Sequence, residues 1–362
     1  MTRVPRLVIA CLVGVVCLNL AWEHQALLTP MVTIQDYYDF HARAPLIFRM
    51  LPALLCRVLL GAHTNAPTGL NAPLDSHYAI FQVVLDAISL SVAFAFMVRI
   101  ARQLNPRLNE NISIAVAAAA GIMIVVFGYF MVPNKALFYP YDFTDLCIAS
   151  GMFYLCIRGG SLLGLWLPLA VFLATLNKET AVFYSGLYLV FSIDRKQDWK
   201  RTGLVLLACA ASFVLARTTV LMLLRRLSGD ISGAPQFEMQ LLYTLSQLKN
   251  PLLLFALLNI CSYLYVAVWA IRKRLDRTDM LILGMVLLWI LIMSTVGIFR
   301  QLRLYVPASL MLYVILCRHL TQVVDALIAG AHRNVPRSAV HGNRVVPPAG
   351  ATTTASQTHA PG

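Results

Sequence analysis

Long apolar runs recur along this chain from Leu7 to Leu320, and they leave it few ways to fold. Lipid cannot satisfy backbone N–H and C=O groups, so a chain buried in it must form helices or a closed barrel. The runs are too long and too uniform for the alternating strands of a barrel, so helices are the forced choice. Only 12% of the 362 residues are charged, against about 25% in a soluble domain. The expected fold class is therefore all-α, a polytopic transmembrane helical bundle with about ten spans.

The first span is read at Leu7–Trp22, after Arg3 and Arg6. A signal peptide would start in the same way. Asn19-Leu20-Ala21-Trp22, however, has no small-x-small cleavage site, so this run is expected to stay as a first helix with a cytoplasmic N-terminus. Further spans are expected near 77–98, 112–132, 143–157, 161–176, 180–193, 202–224, 251–271, 279–298 and 304–320. Between the first two lies Ala44 to Gly61, whose Ile47, Met50, Leu51, Leu54, Leu55, Val58 and Leu59 follow helical spacing. Spanning would bury Arg49 and Arg57 in hydrocarbon, so an amphipathic helix lying in the interface of the first outer loop is expected.

Charge tests this topology. The formal net charge is +13, which in a soluble protein would suggest nucleic acid. Here Lys and Arg gather in short loops, Arg195, Lys196, Lys200 and Arg201 in one and Arg272, Lys273, Arg274 and Arg277 in another. That is the cytoplasmic bias of a membrane protein. No basic patch interleaved with aromatics lies outside the runs, so no nucleic-acid partner is expected. The lipid bilayer is the expected surrounding. Residues 1–332 form the multi-pass membrane domain. Residues 333–362, rich in Pro, Ala, Thr and Gly, are expected to be a disordered cytoplasmic tail. The eight cysteines have no metal-site or disulfide spacing and are expected to pack as small apolar residues.

In this topology the polar clusters fall on one face. The outer segments hold Gln35-Asp36-Tyr37-Tyr38-Asp39-Phe40-His41, then Asn134-Lys135-Ala136-Leu137-Phe138-Tyr139-Pro140-Tyr141-Asp142-Phe143-Thr144-Asp145, Asn177-Lys178-Glu179-Thr180 and Phe299-Arg300-Gln301-Leu302-Arg303-Leu304-Tyr305. Asp36 and Asp39 can act as general base or metal ligand, since desolvation near a membrane raises a carboxyl toward neutral pH. An ordinary solvated loop is the plain alternative. His41 can ligate a metal or relay a proton, or do neither. Asp142 and Asp145 stand where a helix starts, where acids meet the helix dipole favourably. Lys178 and Glu179 can pair across their turn, or meet a phosphate and a hydroxyl. Arg300 and Arg303, three apart, suit a phosphate oxyanion or lipid headgroups. Asp86 and Arg217 lie inside spans and are placed to pair with each other.

This layout resembles the GT-C superfamily of membrane glycosyltransferases. Those enzymes have many helices, an acidic residue in a long external loop soon after helix one, and amphipathic helices lying on the membrane in that loop. Gln35–His41 followed by Ala44–Gly61 is similar. The resemblance covers most of residues 1–320 through short motifs. It implies a sugar donor on a polyprenyl phosphate and an envelope acceptor hydroxyl that attacks the anomeric carbon at the outer face of the bacterial inner membrane. The base would be Asp36 or Asp39. Tyr38, His41, Asp142, Lys178, Glu179, Arg300 and Arg303 would bind substrate, the cations meeting the departing phosphate. Many members carry neighbouring acids in this loop, whereas here two residues separate Asp36 from Asp39. That leaves both the choice of base and a divalent metal open. The rival readings are a polysaccharide polymerase, a multi-pass transporter and a non-catalytic membrane protein.

Overall fold

The computed structural model describes residues 3–25, 34–40, 48–61, 77–106, 108–130, 139–160, 163–227, 251, 258–296 and 301–333. Among these residues every regular element is helical and no strand occurs. The α-helices are α1 (Arg3–Gln25), α2 (Ile34–Tyr38), α3 (Leu51–Leu60), α4 (His77–Leu104), α5 (Glu110–Val125), α6 (Asp142–Arg158), α7 (Leu163–Asn177), α8 (Gly186–Asp194), α9 (Trp199–Leu227), α10 (Leu264–Ala270), α11 (Arg277–Val296) and α12 (Val306–Arg333).

Among the described residues, six helical segments are long and apolar enough to cross a bilayer: Val8–Gln25, His77–Leu104, Glu110–Phe130, Trp199–Leu227, Arg277–Thr295 and Leu302–Gln322. They make this a multi-pass helical membrane protein. About ten spans are expected from the sequence, and the shortfall has local causes. The expected runs 143–157 and 161–176 form helices of only 17 and 15 residues, α6 and α7, and Glu179–Ser185 winds as a tight 3₁₀ helix at the start of the expected 180–193 run, leaving α8 with 9. In the 251–271 stretch, Cys261, Ser262 and Tyr263 take left-handed backbone conformations with φ of 54°, 55° and 59°. L-residues pay for that conformation, and only the 7 residues of α10 follow as α-helix.

The bundle is built around α4 and α12. α4 packs against α1, α5 and α6, while α7 packs against α6 and α9. Of the window Leu302–Gln322, 78% is buried, against 17–39% for the other five segments, so this helix is shielded by protein and the others face lipid. Tyr313 on α12 donates to the Met97 carbonyl of α4 at 2.8 Å. Leu204, Leu207, Val214, Leu215 and Met222 form an exposed apolar face on α9, as a lipid-facing helix requires. All eight cysteines are free, and Cys11 alone is exposed.

Local signals account for the helix ends that matter most. Asn109 caps α5 by accepting from the Asn111 N–H at 3.3 Å. Pro52 stands in the first turn of α3, where its missing N–H is harmless. Past Val125 the chain widens into a π-turn, Val126–Phe130. Gly128 sits in that turn, against the start of α12, so closely that a Cβ there would lie 2.7 Å from Val306 Cγ2.

Met1–Thr321 is one compact unit, and a second, Gln322–Gly362, is described over the last turns of α12. The expected tail, from residue 334 onward, lies outside the described residues. So do residues 44–47 of the expected interfacial helix; within its remainder Leu51–Leu60 is α3, with Val58 and Leu59 strongly exposed.

Candidate functional site

The ends of α1, α6 and α7, the first turns of α4, and the 3₁₀ turn Leu302–Tyr305 ahead of α12 bring their polar residues to one place. Along the chain these are His24 of α1, Gln82 and Asp86 of α4, Asp142 and Asp145 of α6, Asn177 closing α7, Lys178 and Glu179 just beyond it, and Arg303. Backbone contacts fix the meeting. The Met50 N–H donates to the Leu176 carbonyl at 2.8 Å, tying the start of α3 to the end of α7. Asn177 Nδ2 donates to the Tyr141 carbonyl at 3.3 Å, tying α7 to the start of α6.

Three charge groupings result. In the first, Lys178 Nζ lies 2.7 Å from Asp145 Oδ2, both side chains about 5% exposed, and Tyr184 donates to Asp145 Oδ1 at 2.9 Å. In the second, Arg49 donates to the Tyr141 hydroxyl and, at 3.4 Å, to Glu179 Oε1. Burial alone would push the Glu179 carboxyl up. The Arg49 guanidinium overrides burial and, with the residue's own backbone N–H and Arg217 helping, holds it below the ordinary glutamate value. In the third, Arg303 Nη1 is 3.4 Å from Asp142 Oδ2. His24, fully buried, stands 3.6 Å from that same oxygen and 3.5 Å from Asp86 Oδ2. Gln82 Nε2 donates to Asp86 Oδ1 at 2.8 Å and accepts at Oε1 from Tyr38.

The aspartates of the first outer segment lie at the rim. Asp36, on α2, and Asp39, just after it, are both half-buried. Asp39 accepts from the Tyr78 hydroxyl at 2.8 Å, and the Tyr78 ring stacks on Tyr38. Phe40 turns the chain immediately after Asp39 with φ of 61°, an unfavourable conformation for a bulky residue, of the kind that gathers at functional sites. Arg57 covers its ring.

Of the residues singled out from sequence, Tyr38, Asp142, Lys178, Glu179 and Arg303 thus come together, with Asp36 and Asp39 at the edge. His41 and Arg300 lie outside the described residues. Three pairings differ from expectation. Lys178 and Glu179 do not pair with each other, because the 3₁₀ turn sends one to α6 and the other to Arg49. Asp86 pairs with Gln82 and His24 rather than with Arg217; Arg217 covers the Phe48 ring. Arg49 does not lie along the interfacial helix. The helix begins only at Leu51, so Arg49 precedes it and turns inward, its side chain 11% exposed. His24 and Gln82 are further participants that sequence reasoning missed; a lone histidine closing an apolar run and a glutamine inside one carried no signal.

Several buried polar atoms here have no hydrogen-bond partner among the described residues: Arg49 Nε, Glu179 Oε2, Asn177 Oδ1 and Thr180 Oγ1. Each such atom in a packed interior needs an explanation. One guanidinium N–H and several acceptor oxygens offer complementary bonds to a ligand rich in hydroxyls. Among the described residues no group of three or more His, Cys, Asp or Glu side chains is arranged to hold a metal ion.

No protein-family model matches the chain. No curated protein matches it in sequence.

Proposed function

We propose that this protein is a membrane glycosyltransferase of GT-C type, moving a sugar from a polyprenyl-phosphate donor to an envelope acceptor at the outer face of the bacterial inner membrane. The observation that carries this reading is the Arg49–Glu179 contact where several helix ends converge, together with buried oxygens on Glu179, Asn177 and Thr180 that have no hydrogen-bond partner among the described residues. Hydroxyl groups donate to such oxygens, and a guanidinium meets a phosphate oxygen. In this reading α3 lies in the interface, the shorter helices complete about ten crossings, and both termini are cytoplasmic.

The proposed division of labour follows exposure. Asp36 or Asp39, at the half-buried rim, takes the acceptor proton. Glu179 and Asn177 hold sugar hydroxyls. Arg303 and Lys178 already face carboxylates, so Arg49 is the better placed cation for the donor phosphate, its Nε having no partner among the described residues. No step is assigned to a metal.

The test is genetic and chemical. A deletion strain is complemented with wild type, Asp36→Asn/Asp39→Asn and Glu179→Gln, and its envelope glycans and lipid-linked sugars are profiled by mass spectrometry. Loss of one sugar in both variants, with protein levels kept, supports the proposal. Unchanged glycans in the deletion strain refute it. A change in polymer length alone points to a polymerase, and uptake of a solute by proteoliposomes points to a transporter.

A further inference from the structure

His24 stands between two carboxylates from two different helices, Asp86 on α4 at 3.5 Å and Asp142 on α6 at 3.6 Å, and is itself fully buried. Its ring packs at 4.3 Å between centroids on Phe143 and edge-on to Tyr129 and Phe130, so it cannot swing out to water. Among the described residues the charged groups around it are few. α4 presents Asp86, and α6 presents Asp142, which Arg303 meets from the turn before α12. Asp145, one turn further along α6, is matched by Lys178. The π-turn offers only the Tyr129 hydroxyl, which donates to the Asp142 carbonyl at 3.2 Å. On α1 itself, Glu23 is exposed and faces away.

Two carboxylates and one guanidinium leave one negative charge. Buried charge of that kind is expensive unless compensated. A neutral imidazole presents an N–H to only one of the two acids, whereas an imidazolium presents one to each, to Asp86 within hydrogen-bond distance and to Asp142 just beyond it, and brings the group to neutrality. We propose that His24 is a positioning residue that carries an exchangeable proton, and that this proton joins Asp86 to Asp142 and holds Asp142 in line with Arg303. The inference rests on the charges and distances alone and stands whatever reaction the site performs.

The stability that a protonated bridge supplies is present below the imidazole titration and lost as pH rises through it. The test uses the full chain in phosphatidylcholine–phosphatidylglycerol nanodiscs, with thermal unfolding followed from about pH 5.5 to about pH 9. A second buried pair, His319 Nε2 with Asp279 Oδ2 at 2.6 Å, has its own pH dependence, so His24→Gln is compared with wild type, His319→Gln and the double variant. The expected result is a wild-type midpoint that falls by roughly 3 °C or more over this range, a smaller fall in His24→Gln, and the smallest in the double variant. Asp86→Asn should also reduce the fall, because a neutral imidazole satisfies the one acid that remains. A His24→Gln slope equal to wild type overturns the proposal. Should the variants fail to fold, imidazole NMR of the ¹⁵N-histidine wild-type protein decides: a doubly protonated His24 ring at neutral pH supports it, and a neutral ring overturns it.

Discussion

The Lys178–Asp145 pair allows a quantitative test of how dry the cluster is. Both side chains are about 5% exposed and their charged atoms are 2.7 Å apart. Lys178→Met removes the ammonium and leaves the Asp145 carboxylate buried with, among the described residues, only the Tyr184 hydroxyl, 2.9 Å away, to hydrogen-bond its side chain. Stranding one member of a buried pair costs about 3–5 kcal/mol. Adding Asp145→Asn removes the stranded charge and keeps an acceptor for Tyr184. Only an imperfectly bonded amide then remains, worth about 1–2 kcal/mol. The double variant should therefore be more stable than Lys178→Met by about 2 kcal/mol, an apparent rescue by a second loss. Equilibrium unfolding in mixed micelles with increasing sodium dodecyl sulfate, followed by circular dichroism, reads both values. A Lys178→Met loss under about 1 kcal/mol would mean that water reaches the pair. A double variant no better than the single would refute the stranded-charge argument.

Other perturbations probe the supports of the site. Gly128→Ala drives a methyl group into Val306, whose Cγ2 would be 2.7 Å away; a loss of about 1–3 kcal/mol in the same assay is expected, with Val306→Ala restoring part of it. Arg49→Lys replaces a fork that reaches both Tyr141 and Glu179 with a point charge that cannot hold both, and should lose about 1–2 kcal/mol. At the opposite end, Arg318 lies 2.5 Å from Asp276 and 2.8 Å from Asp279. Burial would raise Asp276, but the Asp279 N–H and Arg318 outweigh it and hold it below the ordinary aspartate value. Its contribution is therefore complete above about pH 4 and lost as pH falls through its depressed folded value; Arg318→Gln should flatten the acid limb of the stability profile. In a cysteine-free background, cysteines at Asp36 and Gln301 should react with a membrane-impermeant thiol reagent on intact cells, while cysteines at Lys196 and Lys273 should not; labelling of Asp36 and Gln301 from opposite faces would break the shared site.

Much of the fold was readable because lipid imposes it. Where described, each expected apolar run contains helix, and the sharp ends were marked by residues such as Asn109 before α5. The number of full crossings was less readable. Hydropathy registers the runs at 161–176 and 180–193 but not the 3₁₀ turn that opens the second, and no sequence pattern announces left-handed Cys261 and Ser262. In the site, Asp142, Lys178, Glu179 and Arg303 stood out because charge near hydrocarbon is rare, and Tyr38 because it lies in a polar cluster. Their partners did not, since pairing is decided by which helix ends meet. Arg49 had a usable signal: Pro52 favours the first turn of a helix, which places Arg49 outside α3 and frees it to turn inward.

In the proposed reading, where α6 and α7 cross the bilayer, their lengths give the bilayer itself a hold on the charged cluster. At ~1.5 Å per residue, their 17 and 15 residues rise about 26 and 23 Å, less than the ~30 Å of a typical hydrocarbon core. Asp142 and Asp145 begin α6, and Lys178 directly follows α7. Longer acyl chains would draw those charges into oil, whereas shorter ones would leave them among headgroups and water. Lipid chain length thus acts as a dial on the local dielectric, and through it on the strength of every charge pair in the cluster.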